Sequence, residues 1–273
     1  MPEPSTGFAR QSAASGATGL LLKLRHIGKT FPNDVVALRD FNLDVQAGEF
    51  LTLLGPSGCG KSTVLRLIAG LSKPSSGALA WGGNEDVQER PTIGFVFQDP
   101  TLTPWSNVFD NVWLPLRLRN VGRRQAAPRI DEVLELVGLS AFAKARPREL
   151  SGGMRMRVSI ARALVVRPSL LLMDEPFAAL DEITRFKLND DLVRLKQELA
   201  MTVVFVTHSI FESVYLSTRI AVFGERPGRV AATISIDSSL RRDGDFRTSV
   251  AYAERCREVS QALTGAIEGA PAP

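Results

Sequence analysis

Four residues carry the first chemical signal. Gly55, Gly60, Lys61 and Ser62 are spaced as G-x-x-x-x-G-K-[ST], and this pattern suits a polyphosphate. Glycines let the backbone curl so that successive N–H groups point inward around an anion. A helix starting directly after the loop adds the positive end of its dipole. Lys61 offers a mobile cation to the β- and γ-phosphates, and the Ser62 hydroxyl is a hard oxygen suited to Mg²⁺. The whole loop, Gly55-Pro56-Ser57-Gly58-Cys59-Gly60-Lys61-Ser62-Thr63, therefore reads as a binding site for a nucleoside triphosphate with its metal ion. At average residue usage the bare pattern arises by accident in about one chain of this length in a hundred. Its flanks weaken the alternative of a glycine-rich turn with a surface lysine. An apolar run, residues 50–54, precedes the loop, and apolar residues at helical spacing follow it.

Those flanks imply the elements that must hold the loop. Residues 20–27 and 35–45 read as strands joined by a turn over 32–34, and 50–54 as the strand feeding the loop. The helix after the loop should end near Gly70, and 78–81 should be a short strand. The run T-I-G-F-V-F at 92–97 is apolar throughout, as a buried parallel strand requires. Apolar residues then recur at helical spacing through Val108, Val112, Leu116, Ile130, Val133, Leu134 and Val137, with Pro115 and Pro128 expected to interrupt or start helices. Ser151-Gly152-Gly153 opens another helix, with Met156, Ile160, Ala163 and Leu164 on its apolar side. Residues 170–173 form a short strand ending in Asp174-Glu175-Pro176, 181–199 a helix, 202–206 a buried strand, and 220–223 with 229–236 a closing hairpin. Strands alternating with helices around a phosphate loop predict a parallel α/β core with a helical subdomain inserted in it.

Composition narrows the function. The 273 residues include 33 Lys and Arg against 29 Asp and Glu, a net charge of +4 that is too small and dispersed to argue for nucleic acid. The doublets Arg123–Arg124 and Arg241–Arg242 read as solvated surface. Cys59 and Cys256 are far apart, and a disulfide at Cys59 would distort the loop, so a reducing cytosol is the expected setting. Residues 1–19 are rich in Ala, Ser, Gly and Pro and read as a disordered tail without the apolar core of a secretory signal. No run approaches the roughly twenty apolar residues that span a bilayer, so a membrane role must come through a partner.

Five further segments, in order, make the chain resemble the nucleotide-binding subunit of ATP-binding-cassette (ABC) transporters over about residues 20–236. The resemblance implies an α/β fold: a P-loop NTPase core, with a RecA-like parallel sheet and an antiparallel β subdomain, plus the helical subdomain inserted over about 98–165. Residues 237–273 are left as a C-terminal tail with one helix over 250–263. Leu150-Ser151-Gly152-Gly153-Met154 is similar to the family's signature, an anion site of backbone N–H groups and one hydroxyl. Met154 and Met156 stand where Gln is common, a departure expected to tune that site rather than abolish it. The segment 170–175 is similar to the second nucleotide motif, which implies Asp174 as a metal ligand and Glu175 as general base toward the attacking water. By the same resemblance Gln98 is the coupling glutamine that touches Mg²⁺, Asp181 lines the subunit interface, His208 contacts the γ-phosphate, and Phe31 stacks on adenine. Trp105, after Pro104, is either an aromatic for a partner helix or a core residue, and His26 reads as structural.

The implied function is ATP hydrolysis by two chains that close head-to-tail over two ATP molecules, each signature completing the other chain's site. The family's soluble cassette ATPases, serving iron–sulfur assembly, DNA repair or translation, are the competing class. The chain has no long heptad insertion as in the repair proteins and no second cassette as in the translation proteins. Among importers, Phe97-Gln98-Asp99 with Pro104-Trp105 and Asn107-Val108…Asn111-Val112 most resembles the nitrate/sulfonate/taurine group, which includes importers of pyrimidine vitamin precursors. That implies peripheral binding at the cytoplasmic face of the membrane, permease subunits as partners, and an indirect link to a solute-binding protein.

Overall fold

A computed structural model of the chain describes residues 19–82, 90–237, 242 and 245–269. The expected disordered tail lies outside these residues except for Gly19. The elements run β1 (Leu20–Thr30), β2 (Val36–Gln46), β3 (Phe50–Leu54), α1 (Lys61–Ile68), β4 (Ser76–Trp81) and β5 (Ile93–Val96). Next come α2 (Val108–Arg117), α3 (Arg123–Leu136), α4 (Gly152–Leu164), β6 (Leu170–Asp174), α5 (Glu182–Leu199) and β7 (Thr202–Thr207). The chain continues through α6 (Ile210–Leu216), β8 (Arg219–Phe223), β9 (Val230–Ser235) and α7 (Val250–Glu268).

Two sheets result. β2, β1 and β4 form an antiparallel sheet in that order, and a six-stranded sheet runs β5-β6-β7-β3-β8-β9. In the larger sheet every neighbouring pair is parallel except β8 with β9. Every residue of β3, β6 and β7 is buried, so both faces of the sheet must be covered.

Strand alternation sends side chains into two separate cores. Phe50, Leu171, Met173, Val203 and Phe205 enter one with Val112, Ile130, Met156 and Val158 of the helical segment. Leu51, Leu53, Leu170, Leu172, Val204 and Val206 enter the other with Val64 and Leu65 of α1 and Leu22, Phe41 and Val45 of the antiparallel sheet. The molecule is therefore layered: helices, a mostly parallel sheet, then α1 with a smaller antiparallel sheet. α7 packs against α6, β8 and β9, and sends Tyr252, Cys256, Val259 and Ala262 into the first core.

Four local readings change. Pro115 and Pro128 lie inside α2 and α3 and neither break nor start them. Each removes one ladder hydrogen bond, which the buried faces Val108–Val112–Leu116 and Ala126–Ile130–Val133 outweigh. The short helix α6 was not expected, and α7 runs five residues further than the predicted 250–263. Trp105 is 76% exposed, which removes its core reading. His26 is exposed too, and its Nδ1 lies 2.6 Å from Asp40 Oδ1.

Candidate nucleotide-hydrolysis site

The sheet order gathers the chemistry. β5, β6, β7 and β3 are adjacent and parallel, so their carboxyl ends share one edge of the sheet. From that edge emerge Gln98 after β5, Asp174 and Glu175 at β6, His208 after β7 and the loop 55–60 after β3. Open α/β sheets hold ligands at such an edge. Val96 pairs with Met173 and Asp174 with Val206, so Gln98, Glu175 and His208 leave neighbouring strand ends at matched heights.

The phosphate loop is fixed by close approaches. Gly60, the N-cap of α1, has φ 110°, and a Cβ there would come within 2.9 Å of the Ala37 carbonyl oxygen. Only glycine satisfies both the positive φ and that contact. Lys61 is 3% exposed, and its ammonium donates to the carbonyl oxygens of Gly55 and Pro56 at 2.8 and 2.7 Å. Pro56, Ser57 and Gly58 form the outer rim, Cys59 is buried, and Ser62 and Thr63 lie in the first turn of α1. Burial pushes the Cys59 thiol up despite the nearby Lys61 charge, so it stays protonated and a free cysteine.

The two adjacent carboxylates lie in different surroundings. Ser62 Oγ donates to Asp174 Oδ1 at 2.7 Å. Burial pushes the Asp174 carboxyl above the usual range, with the Ser62 hydrogen bond opposing. A hydroxyl and a desolvated carboxylate side by side make a hard-oxygen pair of the kind that suits Mg²⁺. Among the described residues no cluster of three or more His, Cys, Asp or Glu could hold a metal ion. Glu175 points the other way: Oε2 lies 3.1 Å from His208 Nδ1 and Oε1 4.0 Å from Lys61 Nζ. Its φ is 44°, left-handed backbone that a branched-free acidic residue adopts only when held, here by its N–H donating to the Val206 carbonyl. Gln98 is exposed at the strand end. Phe31 caps the β1–β2 hairpin, whose returning strand supplies the Ala37 and Leu38 that touch Gly60.

Ser151, Gly152 and Gly153 form a second group at the start of α4. The Ser151 hydroxyl accepts from the Met154 N–H at 3.2 Å. A Cβ on Gly153 would lie 2.5 Å from Thr184 Cγ2, and one on Gly152 would lie 3.3 Å from Leu180 Cδ2. The signature helix is thus packed directly on the start of α5. There Asp181 accepts from the Thr184 N–H at 2.9 Å, a bond that holds its carboxyl below the usual range. Met156 is buried in the core. Sequence reasoning passed over Arg185, Thr207 and Glu212, although Ser209-x-x-Glu212 has the spacing that starts a helix, and Ser209 does cap α6.

Comparison with known proteins places the chain in a family. The sequence profile of the family described as ABC transporter matches residues 38–178. The aliphatic sulfonates import ATP-binding protein of Bacillus licheniformis is 46% identical over 215 residues, covering 79% of this chain and 82% of that one. The taurine import ATP-binding protein of Rhizobium johnstonii is 43% identical over 252 residues, covering 89% and 96%. Among solved structures, a dimeric post-hydrolysis ATP-binding cassette bound to ADP and Pi superposes with TM-score 0.68 at 35% identity, covering 80% of this chain and all of the other. Clostridium perfringens cbiO1, part of the ABC transporter complex cbiONQ, gives 0.71 at 28%, covering 80% and 89%.

The chain belongs to the ABC transporter family. It is one of that family's ATP-hydrolysing cassettes, with the P-loop NTPase fold expected from the sequence.

Proposed function

We propose that this chain is the ATPase subunit of an importer for a small solute of the sulfonate, taurine or nitrate kind. The observation that carries the reading is the single strand edge bearing the phosphate loop, Asp174, Glu175, His208 and Gln98. The import roles in the names of the sulfonate and taurine relatives support it, as does that of the related nitrate import ATP-binding protein of Synechococcus elongatus.

In this reading the loop N–H groups and Lys61 hold the β- and γ-phosphates, and Phe31 stacks on adenine. Ser62, Asp174 and Gln98 would hold Mg²⁺, which would supply positive charge against the triphosphate. Glu175 accepts a proton from the water that attacks the γ-phosphorus. The bond from that phosphorus to the β–γ bridging oxygen breaks, and ADP and phosphate leave. His208, 3.1 Å from Glu175, orients the carboxylate and reaches the γ-phosphate. Ser151, Gly152 and Gly153 serve the ATP of a second copy, and Asp181 lies at that interface.

Two such chains sit peripherally on the cytoplasmic face of the membrane against permease subunits, which a solute-binding protein loads. Among the described residues no helix is long and apolar enough to cross a membrane. Trp105, exposed just beyond Gln98, is the anchor for the permease. The test is ATPase stimulation of the reconstituted complex by its solute-binding protein, across sulfonates, taurine, nitrate and pyrimidines. The reading expects stimulation by one of the first three. Trp105→Ser should keep the isolated chain's ATPase rate and lose the stimulation. A complex stimulated by pyrimidines alone, or by none of the solutes, would contradict the assignment.

A further inference from the structure

The contacts of His208 continue into the protein along a path the hydrolysis chemistry does not use. Thr207 and Ser209 bracket the histidine. The Thr207 hydroxyl donates to Glu212 Oε2 and accepts from the Ser209 N–H at 3.0 Å, while the Glu212 N–H donates to Ser209 Oγ at 3.3 Å. Glu212 is 6% exposed. A carboxylate so deeply buried is retained only where partners hold it. Its second oxygen, Oε1, lies 3.6 Å from Arg185 Nε, and the Arg185 guanidinium also donates to the Leu180 carbonyl oxygen at 3.0 Å. Leu180 and Thr184 are the residues that crowd Gly152 and Gly153. One arginine thus ties the backbone just before α5 to the carboxylate that holds Thr207, the residue before His208.

We propose that Arg185 and Glu212 are positioning residues. They set the His208–Glu175 contact according to where α4 and the start of α5 stand, and so link the signature end of the chain to its own hydrolysis site. The inference rests on the roles given above to Glu175 and His208. Its physical basis is a continuous chain of contacts: hydrogen bonds join Arg185 to Leu180 and Thr207 to Glu212, a 3.6 Å ion pair joins Arg185 to Glu212, and Glu212 and Thr207 are buried, so displacement at one end is felt at the other.

A purely structural ion pair predicts something different, and the two can be separated. Arg185→Met leaves a buried carboxylate without its cation and is expected to lower both melting temperature and kcat. Arg185→Met/Glu212→Gln removes the unpaired charge. Its melting temperature should return to within about 2 °C of wild type, while kcat stays about tenfold or more below wild type with the KM for ATP within about twofold. Glu212→Gln alone, nearly isosteric, should lower kcat in the same way even if Arg185→Met does not fold. Recovery of kcat together with melting temperature in the double variant would overturn the proposal, as would a wild-type kcat in Glu212→Gln. Glu175→Gln and His208→Ala, run in the same assay, keep the failures apart. Wild-type rates in those two would remove the underlying site assignment whatever Arg185 does.

Discussion

Asp174 and Glu175 are adjacent carboxylates placed in opposite circumstances. Asp174 ends a buried strand and is pushed up by desolvation, whereas Glu175 turns out through left-handed backbone toward His208 and Lys61. Left-handed backbone at a residue other than glycine costs on the order of 1–3 kcal/mol, a cost that persists only where the surroundings enforce it. The raised Asp174 carboxyl has a consequence for stability. Its protonated form is favoured by the fold, so the stability of the nucleotide-free protein falls as pH rises from the ordinary aspartate value through the raised one, and stays lower above it. In chelator and without nucleotide, Asp174→Asn should therefore melt above wild type at neutral pH, and the gap should close in acid. Calorimetry across pH measures this, and a wild type that melts higher at neutral pH would contradict it. Lys61, Ser62, Asp174 and Glu175 were legible in the sequence as candidates because they sit in motifs of recognisable type and spacing. Arg185 and Glu212 were not. A charge on a helix is usually solvated, and nothing in spacing reveals that Glu212 turns inward.

At the scale of elements, the contact of α4 with α5 decides where the signature points. Gly153 lets the two helices approach to a distance that a methyl group would fill. Gly153→Ala should push its Cβ into Thr184 Cγ2 and destabilise by about 1–3 kcal/mol, the usual cost of overpacking. Adding Thr184→Ser removes that methyl and should restore most of the loss. Thermal melts of the two variants give the answer, and an unshifted melt for Gly153→Ala would contradict the packing. The central strands were easy to read, since burial on both faces makes continuous apolar runs. β1 and β2 were legible in place, but their pairing register follows from bulges that no periodicity shows. α6 escaped because seven residues hold too little periodicity, leaving only its cap as a signal. The prolines misled because local preference was outweighed by the buried faces of α2 and α3.

At the scale of the whole molecule, two cores flank one sheet, and the phosphate loop, Asp174, Glu175 and His208 lie where that sheet meets its loops. α7 belongs to this body. Val259 is fully buried among residues of the first core, so Val259→Ala should cost about 1–2 kcal/mol at roughly 0.8 kcal/mol per buried methylene. A chemical denaturation midpoint unchanged in that variant would mean α7 is only lightly attached. The helix was readable from its pattern, whereas its docking was not, because a C-terminal amphipathic helix has many surfaces available to it. The same limit applies to function. The phosphate loop and the signature were both visible in one chain, but they occupy two different groups of residues, and the account joins them across two copies. Trapping that pair tests it most directly. Glu175→Gln with Mg-ATP should bind nucleotide, hydrolyse almost none, and sediment as a dimer that returns to monomer when nucleotide is removed. A variant that hydrolyses ATP at the wild-type rate, or binds ATP tightly yet stays monomeric, would contradict the account.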